Sequence, residues 1–285
     1  MAPAADPLFD LLKPERLPAV VDIGANPIDG EPPYLPLLKK SLCRVVGFEP
    51  QPAALAALNA KKSQLETYLP YAVGDGTEGT LRICRSPGMT SLFAPDSIAL
   101  KHFGGFSTWG EVLSESRIAT RRLDDIAEID AVDFLKIDVQ GSELAVFRNG
   151  RNKLARAVAI QTEVSFLPLY VGQPVFGDID IELRGLGFVP HAFAAIRNSL
   201  IAPMTNPENP HSSLNQLLEA DIVYVRDFMR PDLMQSEQLK NLTLIAHHCY
   251  RSYDLALNCV HHLAIRGAIA EDAQTRYLGL MQSGR

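Results

Sequence analysis

The sequence predicts an α/β fold in which a mainly parallel β-sheet is covered by helices on both faces. Apolar segments of strand length alternate along the chain with segments of helical composition, a pattern typical of parallel sheets with crossover helices. Two of the apolar segments end in an acidic residue, Asp22 in the first and Glu49 in the second. In a parallel sheet such strand ends meet at the carboxyl edge, where α/β proteins bind ligands.

The first part of the chain contains three predicted core strands. They are expected at 19–23, 44–49 and 67–73, where apolar residues cluster. A helix is expected to begin within 30–38, because proline is tolerated in the first turn of a helix. Residues 52–62 are rich in alanine and leucine and end in lysine, a composition that favours a helix and suits its dipole.

A long irregular segment follows these elements. Residues 80–84 alternate in character and predict a further strand. Residues 86–115 are rich in glycine, serine and aromatic residues, and a segment of this length without periodicity is typical of a lid or a binding loop. The apolar residues 134–138 predict the next core strand, and 142–149 predict a helix with Gly150 as its stop.

The last part of the chain changes from mixed to helical character. Strands are expected at 157–164, 188–193 and 222–225, with a helix at 179–186. Beyond residue 230, glycine is absent until residue 267 and leucines recur at helical spacing. We therefore expect a helical appendage that packs on the sheet or on a partner.

The expected organisation has three parts. Residues 1–18 are interrupted by prolines and form a loose arm or a short helix, residues 19–230 form the main domain, and residues 231–285 form the helical appendage. A chain of 285 residues with 47% hydrophobic residues can bury a sizeable core.

Charge and cysteine content narrow the class of protein. A net charge of −6 argues against broad nucleic-acid binding, which relies on basic surface. The four cysteines form no close pairing motif, so a reduced, cytoplasmic protein is expected. Neither a signal peptide nor an apolar run long enough to span a membrane is recognised in the sequence.

The two acidic strand ends indicate a cofactor that contains a nucleoside. A carboxylate at this edge can accept hydrogen bonds from both hydroxyls of a ribose. A dinucleotide site would need bare glycine turns for its pyrophosphate, whereas this turn has one early glycine, Gly24, beside Asp22, and Pro27 removes a donor. S-adenosylmethionine has a ribose, no phosphate and two positive charges, which suits an acidic turn. The alternative is an ordinary turn whose acid caps the helix.

These residues resemble the FkbM-type family of S-adenosylmethionine-dependent methyltransferases. The matching segments, in order, are VVDIGAN (20–26), VVGFEPQP (45–52), AVGDGTEGTL (72–81), RLDDI (122–126), DFLKIDVQGSEL (133–144) and AIQTEV (159–164). The resemblance implies a Rossmann-like class I methyltransferase with a seven-stranded, mainly parallel sheet. It also implies O-methylation of a hydroxyl on a sugar, glycan or small secondary metabolite.

The chain departs from the family pattern at two places. Pro27 and Ile28 stand where the family usually has one residue and a second glycine. Gln140 stands where the family commonly has a carboxylate. An amide is no general base near neutral pH, although it can orient a hydroxyl by hydrogen bonds.

The cofactor is expected to contact residues at three strand ends and at Asp138. We assign the turn after the first strand to the methionine part, Glu49 to the ribose hydroxyls and the end of the third strand to the adenine ring. The expected cofactor-binding residues are Asp22, Gly24, Ala25, Asn26, Glu49, Pro50, Ala72, Val73 and Asp138. Structural capping or a solvated strand end would also explain the acids, and an ordinary turn would explain residues 74–76.

Three residues are candidates for the proton acceptor that a hydroxyl substrate needs: Asp138, Glu163 and His191. Asp138 alternatively caps the following helix, Glu163 forms an ion pair with Arg156 or another basic group, and His191 packs in the core. The segment Met89–Ser91, with His102 and Trp109, is a weaker candidate for shaping the acceptor site.

No metal is expected. The histidines and cysteines between His247 and His262 lack the tight ligand pairs of zinc sites. An acidic set could hold Mg²⁺ or Ca²⁺ but has no known geometry, namely Asp124, Asp125, Asp138, Glu143 and Glu163. The leucine-rich appendage would allow a homodimer. An oxidoreductase on the same scaffold and a non-catalytic interaction module are the rival classes.

Overall fold

The computed structural model describes residues 6–26, 30–206 and 208–283. The described chain forms strands β1 (Ala19–Ile23), β2 (Arg44–Phe48), β3 (Glu66–Leu69), β4 (Ala72–Gly74), β5 (Glu78–Cys84), β6 (Val112–Arg122), β7 (Phe134–Ile137), β8 (Ala159–Ser165), β9 (Phe188–Ser199) and β10 (Gln216–Arg226). The helices are α1 (Pro7–Leu12), α2 (Leu35–Lys39), α3 (Pro52–Lys61), α4 (Phe106–Trp109), α5 (Glu143–Arg148), α6 (Arg151–Leu154), α7 (Phe176–Gly185), α8 (Ser236–Tyr250), α9 (Tyr253–Ile265) and α10 (Ala273–Ser283).

A seven-stranded sheet in the order β3-β2-β1-β7-β8-β10-β9 forms the centre of the molecule. The pairs β1–β2, β2–β3, β1–β7 and β7–β8 are parallel. Strand β10 runs antiparallel to both of its neighbours, β8 and β9. The expected seven-stranded, mainly parallel sheet is therefore confirmed. Its strand order reverses between β1 and β7, which is where such sheets open a crevice for a ligand.

Helices cover both faces of this sheet, as expected. Alternate residues along β1 separate the two cores, with Val20 in one and Val21 in the other. The first core joins the sheet to α1, α2, α8, α9 and α10. The second joins it to α5, α7 and the short segment that contains Leu123 and Ile126. Each face of the sheet is thus shielded from water by its own helical layer.

The C-terminal helices pack on the sheet, one of the two surfaces that the sequence allowed. Leu242 and Ile245 of α8 and Val260 of α9 are buried in the same core as Phe134 of β7. Helix α1 adds Leu8 to this core, and its first turn is capped by the Asp6 carboxylate, which accepts hydrogen bonds from the amides of residues 8 and 9. Residues 7–12 of the N-terminal arm are therefore a helix that packs in this core.

A second, three-stranded sheet in the order β4-β6-β5 corrects two predictions. The predicted strand 67–73 is two strands in different sheets, because Pro70 lies between them and supplies no amide donor. The predicted irregular segment 86–115 ends in a strand, β6, which extends to residue 122. Most of β6 is exposed, so burial leaves no apolar alternation in its sequence.

Other element bounds differ more modestly. Strands β9 and β10 are longer than the predicted 188–193 and 222–225 and form one long antiparallel pair. Helix α7 begins at Phe176, earlier than expected. None of the described helices is long and apolar enough to cross a membrane.

Candidate active site

A cleft with about 810 Å³ of empty space, open mouth included, lies at the carboxyl ends of β1, β2 and β7 and beside β4. Its walls are formed by Ile23, Gly24, Asn26, Phe48, Glu49, Pro50, Gln51, Tyr71, Ala72, Val73, Leu81, Pro87, Gly88, Thr90, Ser91, Leu92, Asp138, Val139, Gln140 and Ser142. The cleft coincides with the reversal of strand order. It contains most of the residues that the sequence assigns to cofactor binding.

Gly24 makes the turn after β1 and brings it against the end of β7. Its φ of +78° is in the left-handed region, and an added Cβ would lie 2.0 Å from the carbonyl oxygen of Asp138. The amide of Gly24 donates to the carbonyl of Phe48 at 3.1 Å, which ties the turn to β2. Asn26 lies on the cleft wall next to this turn, and Pro27 and Ile28 lie outside the described residues.

Glu49 places a carboxylate in the cleft at the end of β2. The residue is 3% exposed, and its Oε1 accepts a hydrogen bond from the amide of Gln51 at 2.7 Å. Burial raises the pKa of Glu49 above its usual range, opposed by the Gln51 amide and by Lys136. A carboxylate held this way at a strand end can accept hydrogen bonds from a vicinal diol.

Asp22 lies beneath the cleft and does not line it. The residue is 2% exposed, and its Oδ2 accepts a hydrogen bond from the Tyr34 hydroxyl at 2.6 Å. Lys136 lies 3.5 Å from Oδ1 and donates to the carbonyl of Gly24 at 3.0 Å. Burial raises the pKa of Asp22, although Lys136 opposes this. Asp22 thus supports the glycine turn from below, and its neighbour Ala25 also lies off the cleft wall.

An apolar wall closes the other end of the cleft, beside the predicted Ala72 and Val73. The rings of Phe48 and Tyr71 stack with centroids 6.2 Å apart, and the guanidinium of Arg121 lies 3.6 Å from the Tyr71 ring centroid. Sequence reasoning missed both rings. The available signal was position, because Phe48 precedes Glu49 and Tyr71 precedes Ala72.

Asp138 and Glu163 are connected through one amide. Nε2 of Gln140 donates to Asp138 Oδ1 and to Glu163 Oε2, each at 2.8 Å. Asp138 lines the cleft, whereas Glu163 lies behind it and is 6% exposed. Glu163 Oε1 accepts a hydrogen bond from Arg197 at 2.6 Å, so its basic partner is Arg197 and not Arg156. Burial, Glu219 and Asp138 raise the pKa of Glu163 well above its usual range, while Arg197 lowers it.

The structure does not bring His191 to the cleft. This residue lies near the start of β9, between the register pairs Pro190–Tyr224 and Ala192–Val223, and faces the carboxyl-terminal part of the antiparallel β10. Its ring is hydrogen-bonded to Ser252 at the start of α9. Burial lowers the pKa of His191. The role of proton acceptor expected for His191 is therefore incompatible with its position, and it is a packing residue at the helical layer.

The segment 86–110 covers one side of the cleft. Thr90 and Ser91 line it, and the Ser91 hydroxyl donates to the carbonyl of Gln140 at 2.6 Å. Met89 is buried in a small core between this segment and the sheets. The rings of Trp109 and His211 stack with centroids 4.9 Å apart. Neither Trp109 nor the exposed His102 lies on the cleft wall.

Within residues 6–26, 30–206 and 208–283, no group of three or more histidine, cysteine, aspartate or glutamate side chains could hold a metal ion. His247 is hydrogen-bonded to Tyr277, and Cys259 is buried in the helical core. Asp124, of the acidic set considered from sequence, caps α6 through the amides of residues 152 and 153.

The cleft offers groups that can hold a cofactor with a nucleoside. Stacked rings form a flat apolar wall for an adenine, and Glu49 supplies the acceptor for a ribose diol. The turn at Gly24 presents backbone without a side chain beside Asn26, which leaves room for the methionine part. The cleft opens to solvent at its mouth, and Thr90, Asp138 and Gln140 line it.

Comparisons with known proteins identify the family of the domain that contains this cleft. The model of the methyltransferase FkbM domain matches residues 22–190. A similar curated protein is the 2-O-methyltransferase NoeI of Sinorhizobium fredii (strain NBRC 101917 / NGR234), which is 27% identical over 183 residues, covering 57% of this chain and 69% of NoeI.

Solved structures of low sequence identity also align with the chain. One is precorrin-6y C5,15-methyltransferase from Geobacter metallireducens GS-15, with 12% identity, coverage of 77% of this chain and 85% of that chain, and a TM-score of 0.35. Another is magnesium protoporphyrin IX methyltransferase (ChlM) from Synechocystis PCC 6803 with bound SAM, with 12% identity, coverage of 77% and 76%, and a TM-score of 0.37.

Proposed function

This chain belongs to the FkbM methyltransferase family and is an S-adenosylmethionine-dependent methyltransferase, and we propose that it methylates a hydroxyl oxygen of a sugar, a glycan or a small secondary metabolite. The observation that carries the proposal is that two carboxylates, Glu49 and Asp138, lie in one cleft at neighbouring strand ends. Glu49 suits the cofactor ribose, which leaves Asp138 for the acceptor. The similarity to a protein named as a 2-O-methyltransferase supports oxygen as the acceptor atom.

Cofactor binding is assigned to the walls already described. Glu49 accepts the ribose hydroxyls, and the rings of Phe48 and Tyr71 pack on the adenine together with Leu81. The turn at Gly24 holds the methionine part. The Gln51 amide holds the Glu49 carboxylate and the Phe48 and Tyr71 rings hold each other, which reduces the side-chain entropy lost on binding.

The bound cofactor supplies a methyl group that its sulfonium already activates. Asp138 would accept a hydrogen bond from the acceptor hydroxyl and take its proton as the oxygen–methyl bond forms and the methyl–sulfur bond breaks, which leaves S-adenosylhomocysteine. Its Oδ1 is occupied by Gln140, and within the part of the chain that the structure describes no hydrogen bond is found at Oδ2. That oxygen is therefore open to a substrate in the cleft. Segment 86–110 covers one side of the site and shields that side from water, which strengthens the electrostatic interactions there.

Asp138 is a better candidate for the proton acceptor than Glu163. Both oxygens of Glu163 already accept hydrogen bonds, from Gln140 and Arg197. The residue also lies behind the cleft wall. We propose instead that Glu163 holds the Gln140 amide, which in turn holds Asp138.

The proposal is tested by Asp138→Asn, with Asp125→Asn as a matched control at an exposed position. Transfer of a labelled methyl group would be measured against a panel of sugars, glycans and small hydroxyl and amino compounds. We expect a hydroxyl compound to be labelled, and Asp138→Asn to reduce turnover by about 10²- to 10⁴-fold, as for loss of a general base. Labelling confined to amino compounds, or full turnover by Asp138→Asn, would contradict the proposal.

A further inference from the structure

Gln140 is the residue at which the cleft, the covering segment and the buried acids meet. We propose that Gln140 is a positioning residue, whose amide holds Asp138 and Glu163 at fixed places so that Asp138 presents one oxygen to the acceptor. This inference rests on the proposed function, since it concerns the same carboxylate. It assigns to Gln140 a role different from direct contact with the substrate hydroxyl.

The backbone of Gln140 is strained and is held from both sides. Its φ of +53° lies in the left-handed region, and Gly141 follows with φ of +104°. For a residue with a side chain this conformation is unfavourable, so surrounding contacts must maintain it. The Glu143 carboxylate accepts hydrogen bonds from the amides of Val139 and Gly141, and the Ser91 hydroxyl donates to the Gln140 carbonyl.

The amide of Gln140 has no donor left for a substrate. Nε2 carries two N–H groups, and it lies within 2.8 Å of both Asp138 Oδ1 and Glu163 Oε2. The Tyr170 hydroxyl lies 3.2 Å from the Met89 carbonyl and 3.3 Å from Oε1, so its single O–H can donate to either oxygen. The reverse orientation of the amide would place its oxygen against both acids, so contact with the two acids favours Nε2 on their side.

The far end of this bridge is anchored in the sheet. Glu163 is buried on β8, and Arg197 of β9 holds its other oxygen at 2.6 Å. Arg197 also lies 3.9 Å from Glu219 of β10. Asp138, at the near end, follows the last residue of β7 and faces the cleft. A chain of charge-assisted hydrogen bonds therefore runs from the edge of the sheet to the reacting region.

A neutral donor is required at the centre of this chain. A carboxylate at position 140 would offer no N–H and would add a negative charge between two acids. An apolar side chain would leave Asp138 free to rotate away from the acceptor. A displacement of about 1 Å at a reacting group can reduce turnover by about 100-fold.

Two substitutions separate the donor from the charge. Gln140→Met keeps a similar side-chain length but has neither the N–H donor nor a charge. Gln140→Glu also lacks the donor and adds a negative charge. The control Gln274→Glu makes the same change on α10, outside the cleft. Steady-state kinetics with the acceptor found above and calorimetric titration with S-adenosylhomocysteine would be compared. We expect Gln140→Met to lower kcat about 10- to 100-fold with KM and cofactor affinity within about threefold, and Gln140→Glu to lower kcat further.

A second readout needs no catalysis. The Glu163 carboxyl would be titrated by ¹³C NMR, with Glu163→Gln giving the assignment. Loss of the Gln140 donor should raise the pKa of Glu163 further in both variants and leave it unchanged in Gln274→Glu. The charged and titratable groups around Glu163 include Arg197 on β9, Glu219 and Asp221 on β10, Asp138 after β7, Glu143 on α5 and Tyr170, and all are present in each variant.

The outcomes distinguish this inference from the proposed function. Unchanged kcat in Gln140→Met, or a loss of cofactor affinity as large as the loss of kcat, would overturn the positioning role. An unchanged Glu163 titration would overturn the bridge itself. If no hydroxyl compound is methylated by the parent protein, the proposed function fails while the titration still decides the bridge. Should Gln140→Met not fold, Gln140→Asn retains the amide, and its shorter side chain should give the same two effects.

Discussion

Gly24 lies where the ends of β1 and β7 come closest, and the missing side chain allows that approach. A Cβ at this position would lie 2.0 Å from the Asp138 carbonyl oxygen. The neighbouring Asp138 and Asn26 both line the cleft, so any displacement at the turn is transmitted to the walls. Cofactor binding and local packing therefore depend on the same residue.

We predict that Gly24→Ala lowers the free energy of unfolding by about 2–5 kcal/mol, from overpacking and left-handed strain together. It should also abolish measurable binding of S-adenosylhomocysteine. Gly172→Ala is the matched control, because its φ is +75° and nothing lies within 4 Å of the added Cβ. Urea unfolding and calorimetry on both variants check this. Equal losses in the two variants would mean that strain, and not contact with β7, dominates.

Strand-end reasoning from the sequence located most of the predicted cofactor residues at the cleft, including Glu49 and Asp138. It did not predict that Asp22 lies beneath the cleft wall, because side chains alternate along a strand. Asp22 shares a face with Val20 and meets Tyr34 and Lys136 beneath the turn. Which acid of a strand end reaches the cleft depends on register and on the partner residues, and these are properties of the fold.

The connection between β7 and α5 is the element that shapes the reacting end of the cleft. Glu143 holds it by accepting hydrogen bonds from the amides of Val139 and Gly141. Burial raises the pKa of Glu143 from 4.5 to about 7, although the backbone donors oppose this. The connection is therefore sensitive to pH near neutrality.

The sign of this effect follows from proton binding. Between about pH 4.5 and 7 the folded protein keeps the Glu143 proton and the unfolded chain releases it, so the contribution of Glu143 to stability falls as pH rises. We predict that Glu143→Gln gains stability relative to the parent protein by up to about 3 kcal/mol across this range. Urea unfolding between pH 5 and 8 measures the difference.

Glu66→Gln provides the control, because the pKa of Glu66 is lowered by its hydrogen bonds to Ser63 and Tyr68, which outweigh burial. The stabilising effect of the Glu66 carboxylate is lost only below pH 5. The stability difference between Glu66→Gln and the parent protein should therefore stay constant from pH 5 to 8. Parallel curves for Glu143→Gln and the parent protein would show that Glu143 does not titrate in this range.

Sequence periodicity predicted elements well where one environment persists along the element. The buried strand at 134–138 and the leucine-rich helices were confirmed. Exposed β6 was missed because neither face is buried, and 67–73 was read as one strand because apolar residues continue across Pro70. Pairing with another strand, which the local pattern does not encode, decides both cases.

At the scale of the whole molecule, the C-terminal helices and the cleft occupy different parts of the sheet. Helices α8 and α9 pack on the face that contains Val20 and Phe134, whereas the cleft lies at the carboxyl edge where strand order reverses. The sequence predicted helices beyond residue 230 but left their docking surface open. Leucine spacing gives the period of a helix and not the surface that it covers.

The central claim is that this edge binds S-adenosylmethionine through Glu49, and calorimetry tests it most directly. The parent protein, Glu49→Ala and the exposed control Glu78→Ala would be titrated with S-adenosylmethionine, S-adenosylhomocysteine and NAD. A hydrogen bond to a charged group contributes about 1.5–3 kcal/mol, so Glu49→Ala should weaken both adenosyl ligands by at least about tenfold. Glu78→Ala should bind as the parent protein does, and NAD should not bind. Binding of NAD alone, or equal adenosyl affinity in Glu49→Ala and the parent protein, would contradict the account.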